Sequence, residues 1–119
     1  MNQRLPDVRL SPEGVKEYLC DQFDVEPADI AKTAGLNGHQ RLVRSLMIWA
    51  MQDLFPWLSR RDVARVIRPQ GAVSHNVVNE SIDRMSILLK RGDAHAVFCR
   101  DLVELIREEM KCRGQGKTV

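Results

Sequence analysis

The sequence predicts an all-α protein: a compact orthogonal bundle of about six helices that contains a helix-turn-helix. Apolar residues recur at helical spacing in successive segments, and no segment shows the strict alternation of a half-buried strand. Caps, prolines and glycines separate the segments at short intervals. Six helices on short connections enclose one core only by crossing at substantial angles, which disfavours a long coiled coil. A chain of 119 residues suffices for one such core and is short for two.

Ser11-Pro12-Glu13 supplies a cap, a proline at the first helical position and an acidic first turn, and Val15, Tyr18, Leu19 and Phe23 follow at helical period. "VEPADIAK" reads as a short second helix entered at Pro27, and "TAGLNG" has the Gly and Asn of a turn. A third helix runs from about His39 to Phe55, with Leu42, Val43, Leu46, Met47, Ala50, Met51 and Leu54 in one broad apolar stripe; Pro56 stops it. The width of the stripe marks a central core helix, and Trp49 belongs to it.

Ser59-Arg60-Arg61-Asp62 has the form of a capping box, with Asp in place of the more usual Glu. It opens a fourth helix, about Arg60 to Arg68, which buries Val63, Val66 and Ile67 and ends at Pro69. Ser74 is the next cap, with Val73 before it placed as a hydrophobic staple. The fifth helix has Val77, Val78, Ile82, Met85, Leu88 and Leu89 as its apolar face, with Lys90 and Arg91 in its last turn and Gly92 as the stop. Asp93 caps a sixth helix carrying Val97, Leu102, Leu105 and Ile106. The expected layout is a flexible segment 1–10, a helical domain 11–111 with its helix-turn-helix at about 59–91, and a frayed tail 112–119.

Composition excludes several function classes. With 44% apolar and 29% charged residues the chain reads as a globular protein, and its longest apolar cluster, around Leu46 to Met51, is far too short to span a bilayer. Residues 1–10 hold no apolar run of signal-sequence type, so no membrane partner and a cytoplasmic location are expected. Cys20, Cys99 and Cys112 are odd in number and widely separated, and they read as reduced thiols; no metal and no cofactor is expected. His39, His75 and His95 lie in different elements, and no nucleophile–base pair is visible, so an enzyme is not expected.

Charge is distributed unevenly. Residues 1–31 carry three Lys/Arg against seven Asp/Glu, giving −4, and 32–58 carry three against one, giving +2. Residues 59–91 carry seven against three, giving +4, and 92–119 carry five against five, giving zero. The excess therefore sits on the helix pair around "RPQGAVSHNVV", where an anionic partner would dock. A reading helix needs small and polar residues at its N-terminal end, and Ser74, His75, Asn76 and Asn79 meet that need. Asn can pair with adenine in bidentate fashion, His can donate to a guanine acceptor, and Ser can reach a base or a phosphate. Arg60, Arg61, Arg65 and Arg68 are placed to clamp the phosphate backbone.

From about Val15 to Met110 the chain resembles a known family, the C-terminal DNA-binding domain of the bacterial chromosomal replication initiator DnaA. "VKEYLCDQFDVEPADIAK" resembles that domain's first two helices and "RLVRSLMIWAMQDLF" its central helix. "LSRRDVARVI" resembles the first helix of its helix-turn-helix, "SHNVVNESIDRM" its signature helix, and "FCRDLVELI" its closing helix. The resemblance implies that His75 falls on the family's base-reading histidine and Val78 on its core valine. Ser74 stands for an aspartate, and Asn76 and Val77 stand for two threonines. The turn "RPQGAV" is longer than the Gly-Gly-Arg turn usual there. The family's arginine-rich loop is "KTAGLNGHQRLVR" here, which leaves Lys32, Arg41 and Arg44 as its backbone contacts. The family's ATPase domain has no counterpart in this sequence, and "GQGKT" lacks the first Gly of a phosphate-binding loop at Lys111.

Two functions are expected from this. The first is a stand-alone initiator-like protein, by default a monomer, that binds double-stranded DNA at initiator-box-like sites and regulates replication initiation. The alternative is an interaction regulator that mimics the initiator's DNA-binding domain, has weak or no DNA affinity, and modulates the initiator through a replication-regulatory partner protein.

Overall fold

Each helix begins at a side chain that can satisfy a free backbone N–H. In the computed structural model, which describes residues 10–118 and side chains through Arg113, Ser11 Oγ accepts from Gly14 N at 3.1 Å and opens α1, Pro12–Gln22. Glu26 and Asp29 form a reciprocal box at α2, Pro27–Ile30, and Ser59 and Asp62 form one at α4, Arg60–Ile67. Ser74 Oγ accepts from Val77 N at 3.2 Å at the start of α5, His75–Lys90. Asp93 Oδ1 accepts from Ala96 N at 3.0 Å at the head of α6, Ala94–Thr118. The flexible segment expected at 1–10 lies, apart from Leu10, outside the described residues.

Two boundaries differ from the sequence reading. Helix α3 spans Gly38–Leu54, because Asn37 and Gln40 form a further capping box: Gln40 N donates to Asn37 Oδ1 at 2.8 Å and Asn37 N to Gln40 Oε1 at 3.0 Å. The Asn read as part of a turn is thus a helix cap. At the other end, helical backbone continues to Thr118 rather than stopping near 111. Arg113 Nε donates to Glu109 Oε2 at 3.1 Å, an (i, i+4) pair that extends the helix with no apolar periodicity.

The described residues contain helices and no strand, and none of the helices is long and apolar enough to cross a membrane. At the centre lies α3, whose Val43, Leu46, Met47, Ile48, Ala50, Met51 and Leu54 are buried in a cluster that draws residues from every other helix. α5 packs along it through Val78 and Met85, α4 through Val63 and Ile67, and α6 through Cys99, Val103 and Ile106. Burying a side chain of this size contributes about 1.5–3 kcal/mol, so the core and not helix propensity holds the short α4 in place. Lys16, like Glu109, is a charged residue that is buried. Its stem is buried on α1 and its Nζ donates to the Val66 carbonyl of α4 at 2.7 Å, which satisfies a buried acceptor near the helix end.

Candidate nucleic-acid interface

The connection from α4 to α5 is built by its backbone. Gly71 (φ +96°) and Ala72 (φ +60°) both adopt left-handed conformations and reverse the chain within the turn. A Cβ on Gly71 would meet no neighbour, so the requirement there is conformational and not steric. Ala72 N donates to the Arg68 carbonyl at 3.0 Å and Val73 N to the Ala64 carbonyl at 3.3 Å, which folds the turn back onto α4. Val73 is then buried, in the staple position, directly before the Ser74 cap.

This turn leaves the start of α5 in solvent. Ser74, His75 and Asn76 are exposed and Asn79, one turn on, is half-buried, while Val78 behind them is fully buried. The first turn of α5 holds no acidic residue, so the positive end of the helix dipole there is not offset. On the preceding helix, Arg60, Arg61 and Arg65 are exposed. Arg61 and Arg65 line a surface groove of about 420 Å³ with Pro69, Gly71 and Ala72. Arg61 and Arg65 thus flank the turn that leads into the exposed start of α5.

Arg68, expected among the phosphate clamps, is engaged with the backbone of its own chain. It is half-buried, and its guanidinium donates to three carbonyls: Nε to Ala31 at 2.7 Å, Nη2 to Lys32 at 2.9 Å and Nη1 to Ala72 at 3.0 Å. It braces the α4–α5 turn against the end of α2. Lys32 is exposed and pairs with Asp29 at 3.6 Å, a contact that a phosphate can displace. Arg41 is exposed near the start of α3, whereas Arg44 one turn on is half-buried. Burial, followed by the nearby charges of Arg68 and Arg41, holds the Arg44 guanidinium below the usual arginine range.

Tertiary structure also joins two histidines that the sequence places in different elements. The rings of His39 and His95 lie 5.8 Å apart, edge to face, in a cleft of about 520 Å³ shared with Phe23, Asp24 and Phe98. His39 Nε2 is 2.8 Å from the Phe23 carbonyl, so one ring nitrogen is engaged in holding α3 to the end of α1. Among the described residues no three His, Cys, Asp or Glu side chains converge as a group able to hold a metal ion. Cys20 and Cys99 are buried free thiols and Cys112 is exposed.

Sequence reasoning missed Arg84. It lies seven residues beyond Val77 on α5, and helical period puts the two on one side, but only folding brings Arg84 to the loop before α3. Together the fold and this face define a class: a small all-helical protein that presents a polar helix tip beside a basic surface. Comparisons of the chain with protein-family models, with curated proteins and with solved structures gave no match.

Proposed function

We propose that the protein is a sequence-specific double-stranded DNA-binding protein, with α4 and α5 acting as a helix-turn-helix and α5 entering the major groove. The observation that carries this reading is the exposed Ser74-His75-Asn76 tip directly after a turn flanked by exposed Arg61 and Arg65, with Arg60 exposed on the same helix as those two. Ser74, His75, Asn76 and Asn79 read base edges; Lys32, Arg41, Arg60, Arg61 and Arg65 hold phosphates. Arg44 contributes from its half-buried position, and Arg68 supports the turn. The resemblance to the initiator's DNA-binding domain assigns the activity to replication initiation. Neither a cofactor nor catalysis enters this reading. A gel shift on an initiator-box duplex against a scrambled duplex, across a salt series, tests it. Preference for the box that persists as salt rises supports the reading; equal binding to both duplexes overturns it.

A second reading is favoured by a specific observation: Arg68 is engaged with three carbonyls, and Trp57, in the α3–α4 connection, is 70% exposed. A reduced basic face and an exposed indole suit an interaction regulator that keeps the initiator domain's shape and acts through a replication-regulatory protein. Tight, box-specific DNA binding at physiological salt, with no replication protein recovered in a pull-down, excludes this alternative.

A further inference from the structure

Between the loop at 33–36, the first half of α3 and the middle of α5 lies a cavity of about 340 Å³. Arg41, Arg44 and Arg84 line it from two helices, Ser45 and Ser81 form buried parts of its wall, and Glu80 is its one acidic group. Among the described residues none of these three arginines forms an ion pair. The Arg44 Nε is buried without a hydrogen-bond partner, which leaves a desolvated donor of a charged group unsatisfied. Three guanidinium groups against one carboxylate give the wall a formal balance of +2. Donors and charge of this kind suit an oxyanion.

We propose that this cavity is a binding site for a phosphate group carrying two negative charges. Guanidinium groups from Arg44 and Arg84 match the oxygens of a phosphate in their fork geometry, and the serine hydroxyls supply neutral donors. Arg41 adds charge at the exposed rim. A dianion balances the wall, whereas chloride offers one charge and no bidentate geometry. A phosphate with two charges is the terminal group of a small phosphorylated molecule; a nucleic-acid backbone phosphate carries one charge and would leave the wall unbalanced. The site shares Arg41 and Arg44 with the phosphate contacts of the DNA-binding reading, but it uses neither the Ser74-His75-Asn76 tip nor Arg61, so failure of one does not entail failure of the other.

The test is nuclear magnetic resonance of the full chain titrated with inorganic phosphate, compared with chloride at equal ionic strength. Saturable shifts of the Arg44 Nε–H and of the Ser45 and Ser81 amides are expected, with a dissociation constant on the order of 1 mM. Arg44→Gln and Arg84→Gln each weaken binding by about tenfold, and Arg61→Ala leaves it unchanged. Arg84 is exposed, so its variant decides the matter even where Arg44→Gln fails to fold. Shifts no larger than with chloride, or unaltered binding by Arg84→Gln, overturn the proposal. Adding duplex DNA to the phosphate-saturated protein separates the sources. Reversal of the phosphate shifts gives the site to the singly charged backbone phosphate and overturns the proposal, and their retention supports a small phosphorylated molecule. A protein that binds duplex but gives no phosphate shifts loses this site and keeps its DNA-binding function.

Discussion

Arg68 shows how one side chain can be read correctly for charge and differently for use. Its position after α4 suggests a phosphate clamp, but its guanidinium ties the end of α2 to the α4–α5 turn through three carbonyls. Hydrogen bonds from a charged donor are among the stronger ones, and removing this donor leaves three acceptors to be resolvated. Arg68→Ala should therefore lower stability by roughly 2–3 kcal/mol, read as a shift of about 10 °C in thermal midpoint. Exposed Arg61→Ala should leave the midpoint unchanged. His75 and Asn76 define the opposite case, polar side chains at the exposed helix start. His75→Ala and Asn76→Ala should each weaken box-specific binding by about 1–3 kcal/mol while leaving binding to scrambled duplex almost intact. A loss that is equal on both duplexes would remove these residues from base reading.

At the scale of elements, the α4–α5 turn sets the direction of α5, and its strain is localised. Ala72 occupies a left-handed conformation that costs an L-residue with a Cβ roughly 1–2 kcal/mol. Ala72→Gly relieves this strain but adds freedom to the unfolded chain, so a net gain of about 0.5 kcal/mol in urea denaturation is expected. Ser74→Ala removes the cap that holds the Val77 N–H and should cost about 1 kcal/mol. These caps were legible because capping is local: Ser11, Ser59, Ser74 and Asp93 each act on a backbone N–H three residues on. Asn37 and Gln40 carry the same signal, obscured by the glycines around them.

For the whole molecule, the buried thiols give a pH dependence with a definite sign. Burial pushes Cys20 from its ordinary 9.0 up to about 11, and Cys99 up to about 12. The folded state then holds these protons more tightly than the unfolded chain. The stabilisation is complete below pH 9 and is lost as pH rises through the folded values, so the urea midpoint should fall between pH 9 and about 12. At pH 8 an aromatic disulfide reagent should modify Cys112 in the native protein and reach Cys20 and Cys99 only in denaturant. The proposed DNA affinity would also be a property of the whole surface. On the proposed reading each of Arg60, Arg61 and Arg65 holds one phosphate, and replacing any of them by alanine should reduce the slope of log affinity against log salt by about 0.9.

By itself the sequence determined the six helices, most of their caps, the buried stripe of α3 and the polar residues that open α5. These follow from interactions between residues three or four apart, which a linear reading can see. Only tertiary structure decided which arginines are free. Arg68 meets carbonyls 36 and 37 residues away, Arg44 is half-covered near the loop at 33–36, and Arg84 joins the same cavity from another helix. A guanidinium on a long flexible stem takes its role from whatever the folded chain brings within reach, and sequence spacing does not encode that.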